Sequence, residues 1–441
     1  MVQSRRWVAA GARATSRARE RFPSAEPRAG ADRDELHYGP RVIHDHDIVI
    51  VGGGPAGLSA ALFLAHLRPA IRGRIVVLEK ERYPREKPCA GAIGGRAEIA
   101  LARIGVRVDV PSAPFGGISL RMPQGTITAK ERYIGRVVRR IEYDAALAEE
   151  ARRRGVTVRD GVRVTGLDRR ADGVVVTTSE GELRARVVLG ADGVGSFVRR
   201  ALGAPAGAWR AQVLEVDTEP TPLDGPRDVI HFDVGDHGFD GYEWDFATIA
   251  DGRELVCRGV YHLVVPGARA DDVDLTARLA ARLDRFGLDL SRCKKKRYAE
   301  RGFAPHEPCA VARVILIGEA AGIDPITGEG IAQAILYGEV VAPYVLEKLD
   351  RGDLSFSDWP RRLSRTMLGA DMRLRHFLCR RFFGPGRAFY ERSFVETPAG
   401  LEAGIRYFGG LPIGGSSIAK VGWSTLTKLV AHRDEAPWRA L

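Results

Sequence analysis

Short apolar, β-branched runs that each stop at a glycine-rich turn recur along the chain. The first run, Asp47-Ile-Val-Ile-Val51, leads into GGGPAG at 52–57 and then into LSAALFLAHL, which has the apolar spacing of a helix. A second run, IVVLE, ends at Glu79. Continuous apolar runs of this length are typical of strands that are buried on both faces. The pattern therefore predicts a strand–turn–helix–strand unit with an acidic residue at its end.

Gly52, Gly54 and Gly57 give this unit a GxGxxG turn. Glycines at these positions permit a tight turn, close approach of the backbone to a pyrophosphate and close helix–strand packing. The helix N-terminus supplies N–H donors for phosphate, and Glu79 is placed to accept hydrogen bonds from ribose hydroxyls. The unit predicts dinucleotide binding, with NAD and FAD as alternatives at this stage.

Two later runs repeat the arrangement. VVLGADG ends at Asp192-Gly193, and VILIGEAAGIDPITGEGI, at 314–331, leads into the helical pattern AQAILYGEVVAPYVLEKL. Three strands that each end in a glycine turn predict one nucleotide-binding domain interrupted by insertions. The insertion at 206–304 contains VIHFDV and ELVCRGVYHLVV, which predict an antiparallel sheet.

The two ends of the chain have different patterns. Residues 1–45 are rich in Arg, Ala, Pro and Gly without periodicity, which predicts a disordered tail or an over-long gene start, with an organelle transit peptide as the alternative. From about Phe356 the pattern predicts helices with a Gly/Pro break at 384–386. Their Arg, Leu and Phe residues, and Trp423 further on, suit a lid over an apolar pocket, contact with anionic lipid, or packing on the chain's own domain.

Composition narrows the possible partners and location. The 441 residues carry a formal net charge of +11, but no nucleic-acid-binding signature accompanies it, so no nucleic-acid partner is expected. The five cysteines are widely spaced, without a CxxC pair or a His/Cys cluster, which argues against a disulfide framework and a zinc site. We expect a cytoplasmic protein, and no apolar run is long enough to predict a transmembrane helix.

GGGPAG, ADGVGS and GEAAGIDPITGEGI together resemble the para-hydroxybenzoate-hydroxylase-like superfamily of FAD-dependent oxidoreductases, over about residues 46–350. KPCAGAI and GEGI make the chain most similar to the geranylgeranyl reductase family within it. The resemblance implies an α/β fold: a Rossmann-type FAD-binding domain, an inserted antiparallel-sheet substrate domain and a C-terminal helical segment. The implied FAD-binding parts are 46–110, 135–205 and 305–350, the substrate-binding parts 111–134 and 206–304, and the helical region 351–441.

The resemblance also implies site residues. FAD would be held by the glycines of the first turn and Glu79, with Asp192 near the nucleotide and the Gly318–Ala321 turn near the ribityl chain. Arg140 matches the family's cofactor-contacting arginine in an Arg-x-x-x-Asp motif, and a solvated residue beside Arg139 is the alternative. The other residues implied to contact the cofactor are Pro55, Ala56, Lys80, Gly193, Glu319, Gly328, Gly330 and Ile331.

The chain departs from the superfamily at the third turn. Gly318-Glu319 stands where Gly-Asp is usual, so the carboxylate is retained but is one methylene longer. Gly322 and Glu329 stand where the hydroxylase branch usually carries His and Gln. This departure weakens the aromatic-hydroxylase alternative.

Cys89 lies in KPCAGAI, where small residues let the backbone approach a planar ring system. In the resembled reductases such a cysteine faces the flavin near the substrate. Cys89 is therefore a candidate for tuning the ring, orienting the substrate or helping to deliver a proton. A small buried residue beside a turn is the alternative.

The segment Gly241-Tyr-Glu-Trp-Asp-Phe246 resembles the reductases' Gly-Tyr-x-Trp-x-Phe-Pro, with Ala247 in place of proline. Tyr242, Trp244 and Phe246 alternate, so on a strand they share one face. That face would line an apolar channel for an isoprenoid chain, or form ordinary core.

We therefore expect an FAD-dependent oxidoreductase that reduces carbon–carbon double bonds of an isoprenoid chain. Cys89 and Tyr242 are the candidates for proton delivery, and NAD(P)H or a ferredoxin-type protein is the expected electron donor. An FAD-dependent monooxygenase or halogenase acting on an aromatic or lipid shares the fold, although the halogenase Trp-x-Trp-x-Ile-Pro signature is absent. A flavoprotein that only passes electrons, or a basic binding protein with a vestigial fold, is a further alternative.

Overall fold

The structure is a computed structural model that describes residues 45–235, 238–264, 273–384, 386–415 and 419. By its internal contacts the chain divides into Met1–Val42 and Ile43–Leu441, and every element below belongs to the second unit. The expectations for the N-terminal tail up to residue 44 and for Trp423 fall outside the described residues.

The first sheet is the nucleotide-binding sheet that the glycine turns predicted. Its strands follow the order β15-β16-β9-β1-β2-β6, with β8 attached to β9 and β7 to β8. From β16 to β6 neighbouring strands are parallel. The strands are β1 (His46–Val51), β2 (Ile75–Glu79), β6 (Thr157–Asp160), β7 (Val164–Arg169), β8 (Val174–Thr178), β9 (Gly181–Gly190), β15 (Ala310–Val311) and β16 (Val314–Leu316).

This strand order brings the three glycine turns together. β1, β9 and β16 are adjacent and parallel, so the turns at Gly52, Asp192 and Gly318 all follow the carboxyl ends of neighbouring strands. In open α/β sheets this edge is where ligands bind. The apolar runs of these strands are buried, as expected for strands covered on both faces.

The second sheet is mostly antiparallel and has the order β14-β10-β13-β12-β11-β4-β5-β3. Only β11 and β4 pair in parallel among its described neighbours. Its strands are β3 (Ala92–Gly94), β4 (Ser112–Met122), β5 (Gly125–Val138), β10 (Arg210–Thr218), β11 (Val229–Asp233), β12 (Gly241–Ala250), β13 (Arg253–Val264) and β14 (Lys296–Arg301).

The two faces of this sheet differ in chemistry. On β12, Glu243 and Asp245 pair with Arg282 of a covering helix, while the alternating aromatic residues point to the opposite face. The sheet also extends beyond the expected substrate boundaries. β3 lies in the expected FAD-binding part 46–110, and β5 runs to Val138, because both strands complete their backbone hydrogen bonds in this sheet.

The helices pack on the first sheet or gather after it. Helix α1 lies against α6, where Gly338 permits close approach because a side chain there would meet Ser59 and Ala60. The α-helices are α1 (Pro55–Leu67), α2 (Gly95–Arg103), α3 (Arg140–Arg153), α4 (Phe197–Ala201), α5 (Leu275–Asp284), α6 (Ile331–Arg351), α7 (Trp359–Ser364), α8 (Met367–Phe382), α9 (Arg387–Val395) and α10 (Pro398–Phe408). Within the described ranges, none of them has the length and apolar composition needed to cross a membrane.

Candidate active site

The glycines of the first turn have two different roles: two of them are required by the backbone geometry, and the third leaves room beside the turn. Gly52 has φ +108°, and a Cβ on Gly57 would overlap the carbonyl oxygen of Gly52, so neither position accepts a side chain. At Gly54, by contrast, an added Cβ would find its nearest atom 3.6 Å away. Gly54 therefore leaves room at the start of α1 that a side chain could enter without overlapping other atoms.

Two arginines border that space. The atoms nearest to a Cβ on Gly54 are the Nη2 atoms of Arg140, at 3.6 Å, and Arg85, at 3.8 Å. Arg140 donates to both carboxylate oxygens of Asp144, at 2.7 and 2.6 Å, and Arg85 contacts the same carboxylate at 3.0 Å. Burial lowers the pKa of Arg140, but the Asp144 carboxylate outweighs it and keeps that pKa above its usual value. Arg140 is thus buried and ion-paired, which excludes the solvated alternative.

This arrangement fits the pyrophosphate of a dinucleotide. The N-cap residue of α1, Gly54, has no side chain with which to cap the first N–H groups, and two guanidinium groups lie in front of them. The buried Nε of Arg85 also has no hydrogen-bond partner within the described residues. A diphosphate anion at this place would meet unpaired N–H donors and positive charge.

Glu79 lies at the carboxyl end of β2, as expected for a residue that binds a ribose. Its carboxylate accepts hydrogen bonds from the backbone N–H groups of Gly53, at 2.9 Å, and Glu81, at 3.1 Å. Arg85 lies 3.4 Å from it, and the hydroxyl of Tyr83 donates to the carbonyl of Gly53. These contacts hold the carboxylate beside the glycine turn. Lys80, the next residue along the chain, is exposed.

The second turn is held by Asp192. Its carboxylate accepts from the Ser196 hydroxyl at 2.5 Å and from the Val198 N–H at 3.1 Å, and so stabilises the start of α4. Burial raises the pKa of Asp192, and the hydrogen bond from Ser196 opposes that shift. Oε2 of Glu319, from the third turn, lies 3.5 Å from where a Cβ of Gly193 would be. The second and third turns therefore meet at the Glu319 carboxylate.

The third turn continues into PITGEG, which is held by buried ion pairs. Asp324 accepts from Arg375 of α8 at 2.5 Å, and Glu329 pairs with Arg96 at 2.6 Å and with Arg375 at 2.9 Å. Burial raises the pKa of Glu329 against the lowering effect of both arginines. Gly330 and the buried Ile331 then begin α6. A residue of the C-terminal helices thus fixes the turn that was expected near the flavin.

Cys89 lies between the two sheets. Its backbone N–H donates to Glu215 of β10 at 3.2 Å, and its side chain packs on the core of the first sheet. Glu215 also accepts from the Tyr298 hydroxyl at 3.0 Å. Burial raises the pKa of the Cys89 thiol to about 11, while the nearby Arg140 opposes that shift. The thiol is therefore protonated at neutral pH.

The aromatic residues of β12 lie on one buried face of the second sheet. The ring of Tyr242 stacks on that of Tyr261 at 4.8 Å between centroids, and the Trp244 ring lies 6.0 Å from Tyr242 and 6.1 Å from Phe246. The Tyr242 hydroxyl donates to the carbonyl of Thr327, in PITGEG, at 2.6 Å. This bond ties the aromatic face to the third turn.

Several residues of this site escaped the sequence-based predictions. Arg85 stands four residues before Cys89, but nothing in its spacing distinguishes it from the many other arginines of the chain. Tyr298 and Glu300 alternate on β14, which signals a shared face of a strand without indicating what that face meets. No group of His, Cys, Asp and Glu residues arranged to hold a metal ion occurs in the part of the chain that the structure describes.

A family model described as the FAD binding domain matches residues 45–336. Digeranylgeranylglycerophospholipid reductase of Methanosarcina acetivorans is 27% identical over 332 residues, which are 70% of this chain and 77% of that protein. Rifampicin monooxygenase of Streptomyces venezuelae is 29% identical over 309 residues, or 64% of this chain and 60% of that protein. Relatives of both reaction classes are therefore similar to this chain.

The fold is also that of a solved structure. The crystal structure of a geranylgeranyl bacteriochlorophyll reductase-like protein from Thermoplasma acidophilum aligns with a TM-score of 0.62 and 18% identity, and the match covers 89% of this chain and 99% of the other. At this identity the likeness concerns the fold alone. Together with the two sheets and the C-terminal helices, it confirms the expected fold class.

Proposed function

The chain belongs to the FAD binding domain family and is an FAD-dependent oxidoreductase, and from this premise we propose that it reduces carbon–carbon double bonds of an isoprenoid chain. The observation that carries the proposal is the aromatic face of β12, which is hydrogen-bonded to the PITGEG turn through Tyr242 and Thr327. An apolar surface is thereby held against the turn that the family resemblance assigns to the flavin.

FAD fits the residues at the three turns. Arg140, Arg85 and the start of α1 would bind the pyrophosphate, and Glu79 the adenosine ribose. Glu319 would bind the ribityl chain, because its carboxylate lies beside Gly193 where the second and third turns meet. When reduced, FAD supplies the hydride for a double bond, and the protein supplies orientation and a dry pocket.

The substrate proposal rests on the chemistry of the sheet face. Tyr242, Trp244 and Phe246 present rings and few polar atoms, and Tyr261 and Phe232 extend the same surface. Burial of an isoprenoid chain on such a surface gains free energy in proportion to the apolar area removed from water. An unactivated alkene accepts hydride poorly, so positioning by this face must contribute much of the acceleration.

We also propose that Cys89 and Tyr242 lie on the side of the substrate that receives the proton. The two residues would have different roles there. The Tyr242 proton is engaged by the Thr327 carbonyl, which suits a residue that positions the turn. The Cys89 thiol keeps its proton at neutral pH and lies beside Arg140 and Glu215. Its small volume leaves room for a ring system, consistent with orientation of the substrate.

Oxygen insertion is the second candidate function. The similarity to rifampicin monooxygenase favours it, because that relative is as similar to this chain as the reductases are. In this chain Glu329 of the third turn is enclosed by Arg96 and Arg375. Its Oε2 is therefore held by two arginines at a position where the hydroxylase branch usually carries an uncharged polar residue or His.

Turnover without oxygen separates the two functions. Purified protein is reduced with dithionite in an anaerobic chamber and incubated with geranylgeranyl diphosphate or a digeranylgeranyl glycerophospholipid, and the products are analysed by mass spectrometry. We expect the mass to increase by two hydrogens for each reduced bond, and denatured protein to release FAD.

The control is the same protein in air with NADPH. A product that gains one oxygen atom, and forms only in air, would establish the monooxygenase alternative. Folded protein that neither contains FAD nor takes it up would contradict both functions.

The electron donor and the cellular setting complete the proposal. We propose NAD(P)H or a ferredoxin-type protein as the reductant and a cytoplasmic location with peripheral membrane contact. Exposed apolar residues of α8, among them Leu374 and Phe377, support the membrane contact.

A further inference from the structure

Strand β14 brings a carboxyl group to the junction of the two sheets. Glu300, on this edge strand, pairs in register with Ala211 of β10. The next residue, Arg301, accepts the backbone N–H of Ile323 through its carbonyl at 3.0 Å, and Gly302 forms a bridge to Ile323. The strand that carries Glu300 is therefore attached to the third glycine turn.

The Glu300 side chain faces that turn directly. A Cβ on Gly328, which has φ +65°, would lie 2.7 Å from Oε2 of Glu300 and 2.9 Å from the ring of Tyr261. Glycine at this position thus leaves the carboxyl room against PITGEG. The same sheet face carries Tyr242 and Trp244, the proposed substrate surface.

Glu300 differs from its acidic neighbours Glu215 and Glu329 in its lack of a partner among the residues that the structure describes. Its Oε2 is buried and has no hydrogen-bond partner, and no ion pair reaches the carboxyl within the described residues. Glu215, by contrast, accepts from Cys89 and Tyr298, and Glu329 lies between two arginines. A buried carboxylate oxygen without a partner costs stability, so its retention calls for a functional reason.

We propose that Glu300 is the general acid of the double-bond reduction, a role that rests on the proposed function. The π bond would break as one carbon takes the Glu300 carboxyl proton and the other takes a hydride, which reduced FAD would supply when bound. The hydride would carry the two electrons of the reduction, and the Glu300 carboxylate would regain its proton from water. The proposed NAD(P)H or ferredoxin-type donor would return FAD to its reduced form, so that atoms and charge balance over a full turnover.

The surroundings of Glu300 favour its protonated form. Burial raises its pKa well above the usual value, the carboxylates of Glu319 and Asp324 add to the shift, and Lys87 opposes it. A carboxyl group whose pKa is raised by its surroundings can hold the proton that a general acid donates. The titratable groups that face Glu300 are Lys87 and Cys89 after β2, Glu215 on β10, Tyr242 on β12, Tyr261 on β13, Tyr298 on β14, and Glu319 and Asp324 in the third turn.

Glu300→Gln tests this role because it keeps the shape and removes the acidic proton. We expect unchanged FAD content, a turnover about 10²–10⁴-fold lower, and Glu300→Asp to recover part of the loss. Wild-type turnover should fall as the pH rises through the Glu300 pKa, because the donor is then ionised, and this fall should be absent from Glu300→Gln. Glu254→Gln, an exposed carboxyl on β13, is the matched control.

A measurement without substrate gives an independent readout. The infrared difference spectrum between wild-type protein and Glu300→Gln should show a protonated carboxyl band at neutral pH that shifts in D₂O and disappears at high pH. Absence of that band, or wild-type turnover and pH profile in Glu300→Gln, would overturn the role while leaving the reductase activity in place. Wild-type protein that reduces no double bond would instead overturn the proposed function, and the role with it.

Discussion

Individual side chains around the site are paired mainly with one another, and the exceptions indicate function. Arg85 and Arg140 share Asp144, and Arg96 and Arg375 share Glu329. Such pairs compensate the desolvation cost of buried charge. The Cys89 thiol differs from these pairs because it carries no charge that needs a partner. Burial raises its pKa, so it keeps a proton that a surface thiol would lose more readily.

Cys89→Ala should therefore retain FAD but alter the reaction. FAD binding depends mainly on the pyrophosphate and adenosine contacts at the first turn. With Glu300 as the acid, the loss of turnover should stay well below the roughly 10²–10⁴-fold that general acid catalysis provides, and the product pattern should change. Flavin absorbance, anaerobic turnover and product masses measure the three effects.

Iodoacetamide provides the pH control for Cys89, because only the thiolate reacts. Since the pKa of this thiol is raised to about 11, its alkylation should be slow at neutral pH and accelerate as the pH approaches that value. A loss in Cys89→Ala as large as that in Glu300→Gln would make the cysteine the donor. Unchanged turnover and products would make it a packing residue.

At the scale of strands and turns, the sequence predicts the elements that depend on the local pattern of apolar residues and glycines. Apolar runs that stop at glycines define β1, β9 and β16, and the parallel order of these strands gathers their turns at one edge. Side-chain pairing across the sheets was not predictable. Glu300 meets Gly328, and Cys89 meets Glu215, only through the register of β14 and β10 and the docking of one sheet on the other. No local periodicity encodes that register.

The first turn allows binding and folding to be tested separately. Gly54→Val should fold, because a Cβ there has no protein atom within 3.6 Å, and should lose FAD, because the side chain would fill the pyrophosphate space. Gly57→Ala should instead lower the free energy of unfolding by roughly 1–3 kcal/mol, because its Cβ would overlap the Gly52 carbonyl. This variant should therefore unfold at a lower denaturant concentration than wild type. Bound FAD and urea unfolding curves separate the effects.

Gly73→Val is the matched control for both changes, because a Cβ at Gly73 meets no atom within 4 Å. It should keep both the cofactor and the stability. Full FAD content in Gly54→Val would show that the pyrophosphate does not lie in front of α1.

Across the whole molecule, the C-terminal helices link the site to the surface. The inner side of α8 places Cys379 in the core of the second sheet and Arg375 on the third turn. Its outer side carries Met367, Leu374, Phe377 and Leu378, which are 74%, 56%, 53% and 40% exposed. Leu374 and Leu378 are one helical turn apart and share a face. One helix thus connects the proposed flavin turn with an apolar surface.

Charge around this surface favours an anionic membrane over a neutral one. Arg373 and Arg380 are exposed on α8, and the guanidinium of Arg381 lies over the Phe377 ring, 5.0 Å from its centroid. Apolar residues flanked by arginines are typical of helices that lie in a membrane interface. The proposed isoprenoid lipid substrate would have to be taken from that phase, which would give the position of α8 beside the site a functional reason.

Vesicle sedimentation tests this contact. Wild-type protein should sediment with phosphatidylglycerol-containing vesicles more than with phosphatidylcholine vesicles, and added salt should weaken the association. The double variant Leu374→Glu/Phe377→Glu should bind at least about tenfold more weakly, because each buried side chain contributes about 1.5–3 kcal/mol and 1.4 kcal/mol corresponds to a factor of ten.

Leu223→Glu, at a residue that is 66% exposed outside α8, is the matched control and should bind like wild type. Equal sedimentation of the double variant and wild type would exclude this face of α8 as the membrane contact. Retained anaerobic turnover of a detergent-dispersed substrate by the double variant would show that the face delivers the substrate and takes no part in the chemistry.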